Sequence, residues 1–349
     1  MKKAVILFNL GGPDKLENVQ PFLFNLFNDP AILNLPTFLR YPLAKLISNR
    51  RAPIAKKIYK ELGGSSPILR LTTEQSNALE RKLNQDDIEN EYKCFIVMRC
   101  WHPRAEKVVN DVKSYAPSEV ILLPLYPQYS AATSGSSIKE WNDVCKKKNY
   151  KTKTSTICCY PTNSLFIKGH TNEIMKTIKN LEDYKLIFSA HGLPEKNIKN
   201  GDPYQWQIEQ SVRNVINDLG LKNLDWILSY QSRVGPLKWI GPSTDDVIVE
   251  NSKLGKKIVL VPIAFVSEHS ETLVELDIEY KELANKNGCK EYLRVPALGI
   301  NPYFISSLSN LVINKGNNKF SKNLYPPKIR CPNNFKQCPC LQNEYLSAI

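Results

Sequence analysis

The chain has 349 residues, 42% of them apolar and 23% charged, the composition of a globular protein with room for two ordinary domains and a cleft between them. Its net charge of +13 permits attraction to nucleic acid, anionic lipid or an anionic small molecule and does not choose among them. The longest apolar stretch, Ile258 to Val266, is interrupted by Pro262 and falls far short of the roughly 20 residues that a membrane-spanning helix needs.

Met1-Lys2-Lys3 followed by Ala4 to Leu10 briefly imitates an export signal, but the run is short, carries Asn9 and leads into Gly11-Gly12-Pro13-Asp14 with no small-residue cleavage site. It reads as a first buried strand. Nine cysteines without an export signal point to a reducing, cytoplasmic setting in which thiols serve as core residues, metal ligands or reactive groups. Short β-branched runs then recur at Ala4 to Phe8, Cys94 to Met98, Val120 to Leu125 and Thr156 to Tyr160, and again at Leu186 to Ser189, Trp226 to Tyr230, Ile258 to Ala264 and Tyr292 to Val295. Helical spacing fills most of the gaps, for example Pro203 to Leu219 and Glu268 to Ala284. Alternating strands and helices build parallel sheets covered on both faces. The expected fold is therefore α/β, two similar Rossmann-like domains each holding a four-stranded parallel sheet. The first domain spans 1–155, the second 156–320 with a last helix able to pack back on the first, and 321–349 is a cysteine-containing tail.

From Arg40 to Lys60 there are seven basic residues and no acidic one. Pro36, Pro42 and Pro53 predict that this region is divided into short helices. It reads either as a solvated basic helix pair or as a lip that meets an apolar, carboxylate-bearing ligand or an anionic membrane surface.

In an open parallel sheet, ligands collect where loops leave the carboxyl ends of the strands. The unusual polar segments lie there: Asn9 to Pro13, Arg99 to Pro103, Tyr126 to Ser137, Ser189 to Pro194, Gln231 to Pro236 and Ser267 to Glu275. Only four histidines are present, and His191 and His269 both lie in strand-end loops or helix starts. His191, between Ala190 and Gly192, has little bulk beside it, and a neutral imidazole there can accept a proton or bind a borderline metal. Glu268, Glu271, Glu275 and Glu279 recur at i, i+3, i+7 and i+11 of an expected helix with Ser267 as its N-cap. Acidic residues in a first turn complement the helix dipole. A full stripe of like charges is instead destabilising unless cations screen it, and oxygen ligands near imidazoles suit labile Fe²⁺. No HExxH, Walker A or GxGxxG pattern is present, which weakens a nucleotide or nicotinamide reading.

Six ordered segments resemble the ferrochelatases: Asn9 to Pro13, Gly64 to Ile68, Tyr126 to Ser130, Ser189 to Pro194, Gln231 to Pro236 with Trp239 and Gly241-Pro242, and Val261 to Phe265 with Glu268 to Thr272. The resemblance runs from about residue 3 to 315 and implies a chelatase-like fold with a porphyrin cleft between the two domains. It implies a lyase that inserts Fe²⁺, as substrate, into protoporphyrin IX in the last step of haem synthesis. By the same carry-over, His191 and Glu271 are the catalytic pair and also metal-handling groups, joined by His269, Glu268 and Glu275. Leu10, Leu33, Leu35, Arg99, Tyr129 and Trp239 would contact the porphyrin, with Arg50, Arg51 and Ser130 near its propionates or the cleft mouth. The family often has an aromatic residue directly after the arginine matching Arg99, whereas here Cys100 intervenes before Trp101.

Cys331, Cys338 and Cys340 form a C-x6-C-x-C set that resembles the spacing in bacterial ferrochelatases carrying a [2Fe-2S] cluster. Cys158 or Cys159 would then supply the fourth thiolate. The alternatives are a chelatase for coproporphyrin or for another metal, a non-catalytic porphyrin or haem carrier, and a nucleic-acid binder. The last ranks lowest because the basic residues alternate with aliphatic rather than stacking side chains. A peripheral membrane contact through residues 31–50 suits an apolar substrate. The sequence leaves oligomeric state open.

Overall fold

A computed structural model describes residues 1–233, 235, 237–316, 331–339 and 341. Eight strands, β1 Lys2–Asn9, β2 Glu91–Met98, β3 Glu119–Pro124, β4 Lys153–Thr156, β5 Tyr184–His191, β6 Asp225–Gln231, β7 Lys257–Pro262 and β8 Glu291–Arg294, form two parallel sheets. Their orders, β2-β1-β3-β4 and β6-β5-β7-β8, repeat one topology. The expected α/β class with two four-stranded parallel sheets is borne out.

The helices are α1 Val19–Phe27, α2 Thr37–Glu61, α3 Ile68–Asp86, α4 Ala105–Tyr115, α5 Ser136–Lys147, α6 Ser164–Thr177, α7 Glu195–Lys199, α8 Tyr204–Leu219, α9 Thr244–Lys253, α10 Tyr280–Lys286 and α11 Pro302–Gly316. Ala4 to Phe8 are fully buried because β1 is central and covered on both faces, which is why it reads as a continuous apolar run. Its alternate residues serve two layers. Ala4, Ile6 and Phe8 pack with Val108 and Val112 of α4 and Ile138 and Trp141 of α5. Val5 and Leu7 join Leu79 of α3, Ile174 of α6, Phe188 of β5 and Phe304 of α11 in one core. α11 packs on α3 and α6 in that shared core, and past the carboxyl ends of β3 and β7 Gln128 Nε2 donates to Ile263 O at 3.4 Å.

Three expectations require correction. The fourth strand is Lys153–Thr156, not Thr156 to Tyr160; past Thr156 only the Ile157 amide continues the pairing, to Leu122 O, before Cys158 and Tyr160 turn into the core. The lip is one helix of 25 residues despite Pro42 and Pro53 within it. Ala44, Ser48, Ala52 and Tyr59 form its buried stripe, and packing of that stripe against α1 offsets the lost backbone hydrogen bonds. The acidic segment begins as a π-helix, Glu271–Glu279, before α10. Ser267 does not cap it; its hydroxyl donates to Gln75 Oε1 at 2.8 Å.

Candidate active site at the carboxyl end of the second sheet

His191 is the last residue of β5, and Gln231, its register partner, is the last of β6. The turn after His191 needs glycine: a Cβ on Gly192 would lie 2.9 Å from Gln231 O and 3.2 Å from the Trp239 ring. A side chain there would push apart the two strand ends that carry the site. His191 Nδ1 lies 3.0 Å from Glu271 Oε2 at the start of the π-helix, with the histidine side chain 40% exposed and the glutamate 29%. A carboxylate only accepts, so Nδ1 carries the proton and the lone pair of the neutral ring is on Nε2. Burial acts to lower the His191 pKa, but the charge and hydrogen bond of Glu271 outweigh it and raise the value above 6.5. Burial likewise acts to raise Glu271, and His191, aided by His269, holds it far below the ordinary carboxylate range.

His269 approaches the same oxygen of Glu271 at 3.7 Å through Nε2. Its Nδ1 donates to Ser267 O at 3.1 Å, and its ring packs on Phe265 with centroids 4.7 Å apart. Glu271 thus lies between two imidazoles. Across from it, the Tyr59 hydroxyl of α2 bonds to Ser270, and burial pushes that phenol up to about 12. The lip helix is therefore tied to the start of the π-helix.

Glu275 receives four donors: Ser232 N–H at 2.9 Å, Ser232 Oγ at 2.5 Å, Gln231 Nε2 at 3.1 Å and Tyr280 Oη at 3.1 Å. Ser232 reaches it with both groups because its backbone is left-handed, φ +58°, a conformation costly for a non-glycine residue and common at functional sites. Burial first, and the nearby charge of Glu271 second, raise the Glu275 pKa.

Glu268 is turned away from this group. Its Oε1 accepts from Arg294 at 2.5 Å and from Ala297 N–H at 2.9 Å, and Arg294 also binds Asp277. The helix begins only after Glu268, and its wider π-helical turn brings Glu271 and Glu275 to one side, so the four-residue stripe expected of a regular α-helix is not formed.

The expected porphyrin-contacting residues divide into two sets. Leu10, Leu33 and Leu35 are half-buried in the first domain, and Arg50 and Arg51 are exposed on α2, with Arg51 over the Phe27 ring at 5.7 Å. Trp239 lies against Gly192, bridged to Pro194. Tyr129 is buried and, with Arg99, Asp29 and Ala131, lines a depression of about 560 Å³. Arg99 and Ser130 are engaged elsewhere. Arg99 binds Asp29 at 2.9 Å and Ser136 at 2.7 Å, and Ser130 Oγ donates to buried Asp202 at 2.8 Å.

At the far side of α8, Gln207 Nε2 donates to Cys331 Sγ at 3.2 Å and Cys159 Sγ at 3.5 Å. Hydrogen bonding to Cys338, then burial, pushes the Cys331 thiol far up. Cys158 is buried beside Cys159, and Cys340 lies outside the described residues. Among the described residues no group of three or more His, Cys, Asp or Glu side chains is set to hold a metal ion. Sequence reasoning missed Arg294, Tyr280, Tyr59, Asp202 and Gln207. Only Gln231 and Ser232 carried a signal, as part of a polar segment at a strand end.

The ferrochelatase family model matches residues 2–316. The chain is 77% identical over 344 residues to the ferrochelatase of Pelagibacter ubique, covering 99% of this chain and all of that one. It is 49% identical over 346 residues to that of Rickettsia felis, covering 97% and 99%, and 52% identical over 317 residues to that of Wolbachia sp. subsp. Drosophila simulans, covering 90% and 99%. Among solved structures, SirB from Bacillus subtilis with Fe³⁺ aligns with a TM-score of 0.57 at 11% identity, covering 93% of this chain and all of that one. That likeness is one of fold.

Proposed function

The chain belongs to the ferrochelatase family, the metal-inserting lyases of haem synthesis, and we propose that it inserts Fe²⁺ into protoporphyrin IX with His191 as proton acceptor and Glu271 holding it in that role. The observation that carries this reading is the 3.0 Å contact between His191 Nδ1 and Glu271 Oε2. Insertion removes two pyrrole protons, strips water from the ion and bends a flat ring so that its nitrogen lone pairs become accessible. Glu271 at Nδ1 selects the tautomer whose Nε2 can accept a proton and stabilises the imidazolium that results. His269 and Glu271 supply one nitrogen and one oxygen donor, suited to an ion that must pass on rather than stay. Glu275, held by its four donors, supports the site as a nearby acidic group rather than as a direct ligand. Glu268, paired with Arg294, braces the segment.

Leu10, Leu33, Leu35, Tyr129 and Trp239 supply apolar walls, and Arg50 and Arg51 supply counter-charge for propionates. Arg99 and Ser130, engaged with Asp29 and Asp202, support the wall from behind. Walls that favour a bent ring lower the barrier rather than merely tighten binding. Anaerobic insertion into protoporphyrin IX, followed by loss of porphyrin fluorescence, tests the assignment. His191→Ala should lose at least about 100-fold in rate while still binding porphyrin. Undiminished insertion by that variant would remove His191 from the mechanism, and faster insertion into coproporphyrin would change the substrate.

A peripheral membrane contact is supported by α2, where Phe38 is 76% and Ile54 65% exposed among the seven basic residues of Arg40 to Lys60. Among the described residues no helix is long and apolar enough to cross a membrane.

The C-x6-C-x-C spacing of Cys331, Cys338 and Cys340 supports a [2Fe-2S] cluster. The hydrogen bond to Cys338 and burial raise the Cys331 thiol, and a metal that took it as thiolate would relieve that cost. Cys331, Cys338 and Cys340, with Cys158 or Cys159, would hold it. Bound there, it would supply metal–thiolate bonds between the tail and the segment after β4. Reconstitution with iron and sulfide should give a coloured protein with both elements on analysis; colourless protein would remove the cluster.

A further inference from the structure

Gln75 belongs to α3, which packs on β2 of the first sheet, yet its side chain bonds to loops that leave the second sheet. It is 1% exposed. Its Nε2 donates to Val266 O at 2.7 Å and to Gly299 O at 2.9 Å, and its Oε1 accepts from Ser267 Oγ at 2.8 Å. A primary amide has two N–H donors and one acceptor oxygen, so both donors and the oxygen are engaged. Val266 and Ser267 follow β7, and Gly299 follows β8. These two loops also bond to each other, through Gly299 N–H to Val266 O at 2.9 Å and Ala297 N–H to Glu268 Oε1 at 2.9 Å. Gln75 fastens that seam from the other sheet. An apolar side chain of the same length would leave Gly299 O and the Ser267 hydroxyl without these partners, which is costly where they are buried.

The seam carries the metal-handling end of the site. Ser267 O accepts from His269 Nδ1 at 3.1 Å. A carbonyl only accepts, so Nδ1 carries the proton and the neutral ring turns its Nε2 lone pair toward Glu271 Oε2, 3.7 Å away. Two electron-pair donors thus face the same space, and the backbone of Ser267 fixes one of them. Three residues before Gln75, on the same face of α3, Thr72 Oγ1 accepts from Asn9 Nδ2 at 3.0 Å, while Asn9 Oδ1 accepts from Leu10 N–H at 2.8 Å. One helix face therefore spaces the Leu10 loop from the His269 segment. His191 and Glu271 have separate supports: His191 ends β5 beside Gln231, and the start of the π-helix is tied to Tyr59 through Ser270.

We propose that Gln75 is a positioning residue that sets the orientation of His269 toward Glu271, and with it the capture of Fe²⁺. This rests on the proposed insertion of Fe²⁺ at that pair. Groups that orient a metal-binding imidazole through its other nitrogen fix its tautomer and strengthen its hold on the ion. Loss of Gln75 frees the Ser267 backbone, so the ion is captured less well. The His191–Glu271 contact and the porphyrin walls stand on other supports, so porphyrin binding is untouched.

The test compares full-length wild type with Gln75→Met, which keeps the side-chain length and removes all three bonds, and Ser267→Ala, which removes one. The KM for Fe²⁺ is measured anaerobically at saturating protoporphyrin IX, and porphyrin affinity by fluorescence without metal. Ring nitrogen shifts in NMR spectra give the tautomer of each neutral histidine; the chain has only four. The KM for Fe²⁺ should rise about tenfold in Gln75→Met and about threefold in Ser267→Ala, with porphyrin affinity unchanged. His269 in Gln75→Met should become a mixture of the Nδ1–H and Nε2–H forms. A lower urea midpoint with a wild-type tautomer and a wild-type KM for Fe²⁺ makes Gln75 a structural brace and overturns the proposal, as does an equal loss of affinity for porphyrin. Should Gln75→Met fail to fold, Ser267→Ala decides, and a KM for Fe²⁺ equal to wild type overturns it. Wild-type protein that inserts no iron fails the insertion reading instead; the tautomer comparison then still decides whether Gln75 holds His269, and an unchanged tautomer overturns that.

Discussion

Glu271→Gln isolates the charge that sets the basicity of His191. The variant keeps side-chain size and an oxygen that can accept from Nδ1, and it removes a negative charge centred on a contact of 3.0 Å. At an effective dielectric of about 20, unit charges that close interact by about 5 kcal/mol; with both side chains substantially open to solvent, screening reduces this to about 1–3 kcal/mol. That corresponds to about one to two pKa units. Burial, which acts to lower His191, is then opposed only by Glu275, so the imidazole should fall to or below its ordinary 6.5. A proton acceptor must start neutral, so the acid limb of kcat/KM should lie above pH 6.5 in the wild type and about one to two units lower in Glu271→Gln. The plateau should fall because the imidazolium loses its counter-charge. The assay is porphyrin metallation across pH, with NMR titration of His191 as an independent reading. An acid limb at the same pH in both proteins would refute the assignment.

The same pair sets a stability window. Glu271 is depressed, so its contribution is complete above its ordinary 4.5 and is lost as pH falls through its lowered value. His191 is raised, so its contribution is complete below 6.5 and is lost as pH rises through its raised value. Denaturant midpoints of Glu271→Gln should therefore fall furthest below wild type between pH 4.5 and 6.5; a constant difference at every pH would contradict the pairing. Arg294→Leu leaves the Glu268 and Asp277 carboxylates without their partner and should cost about 3 kcal/mol, read as a lower urea midpoint at unchanged slope. Ala116 ends α4 at φ +53°, so Ala116→Gly should stabilise by about 0.5–1 kcal/mol; destabilisation would show that its methyl packs productively. Phe38→Asp combined with Ile54→Asp should abolish co-sedimentation with vesicles containing anionic lipid, and wild-type sedimentation would remove α2 as the contact.

The two sheets were legible in the sequence because a central parallel strand must be apolar on both faces, as Ala4 to Phe8 are, and because helical spacing between such runs leaves few other architectures. His191, Glu271 and Gln231 were legible as polar groups where strands end, since that is where a doubly covered sheet exposes its loops. The π-helix was not legible. Its i→i+5 bonding is set by packing, and it starts only at Glu271, which leaves Glu268 before the helix and turned to Arg294 while Glu271 turns to His191. Nor could the local rule that proline breaks helices foresee α2, where a buried stripe against α1 outweighs two missing amides. Arg294, Tyr280 and Gln207 sit in ordinary helix or strand positions with no local pattern to mark them. Arg294 and Gln207 take their roles from partners 17 to 124 residues away, in Gln207 from Tyr129 on one side and Cys331 on the other. Periodicity and composition record which residues must be buried, and only the folded chain decides which buried polar groups meet.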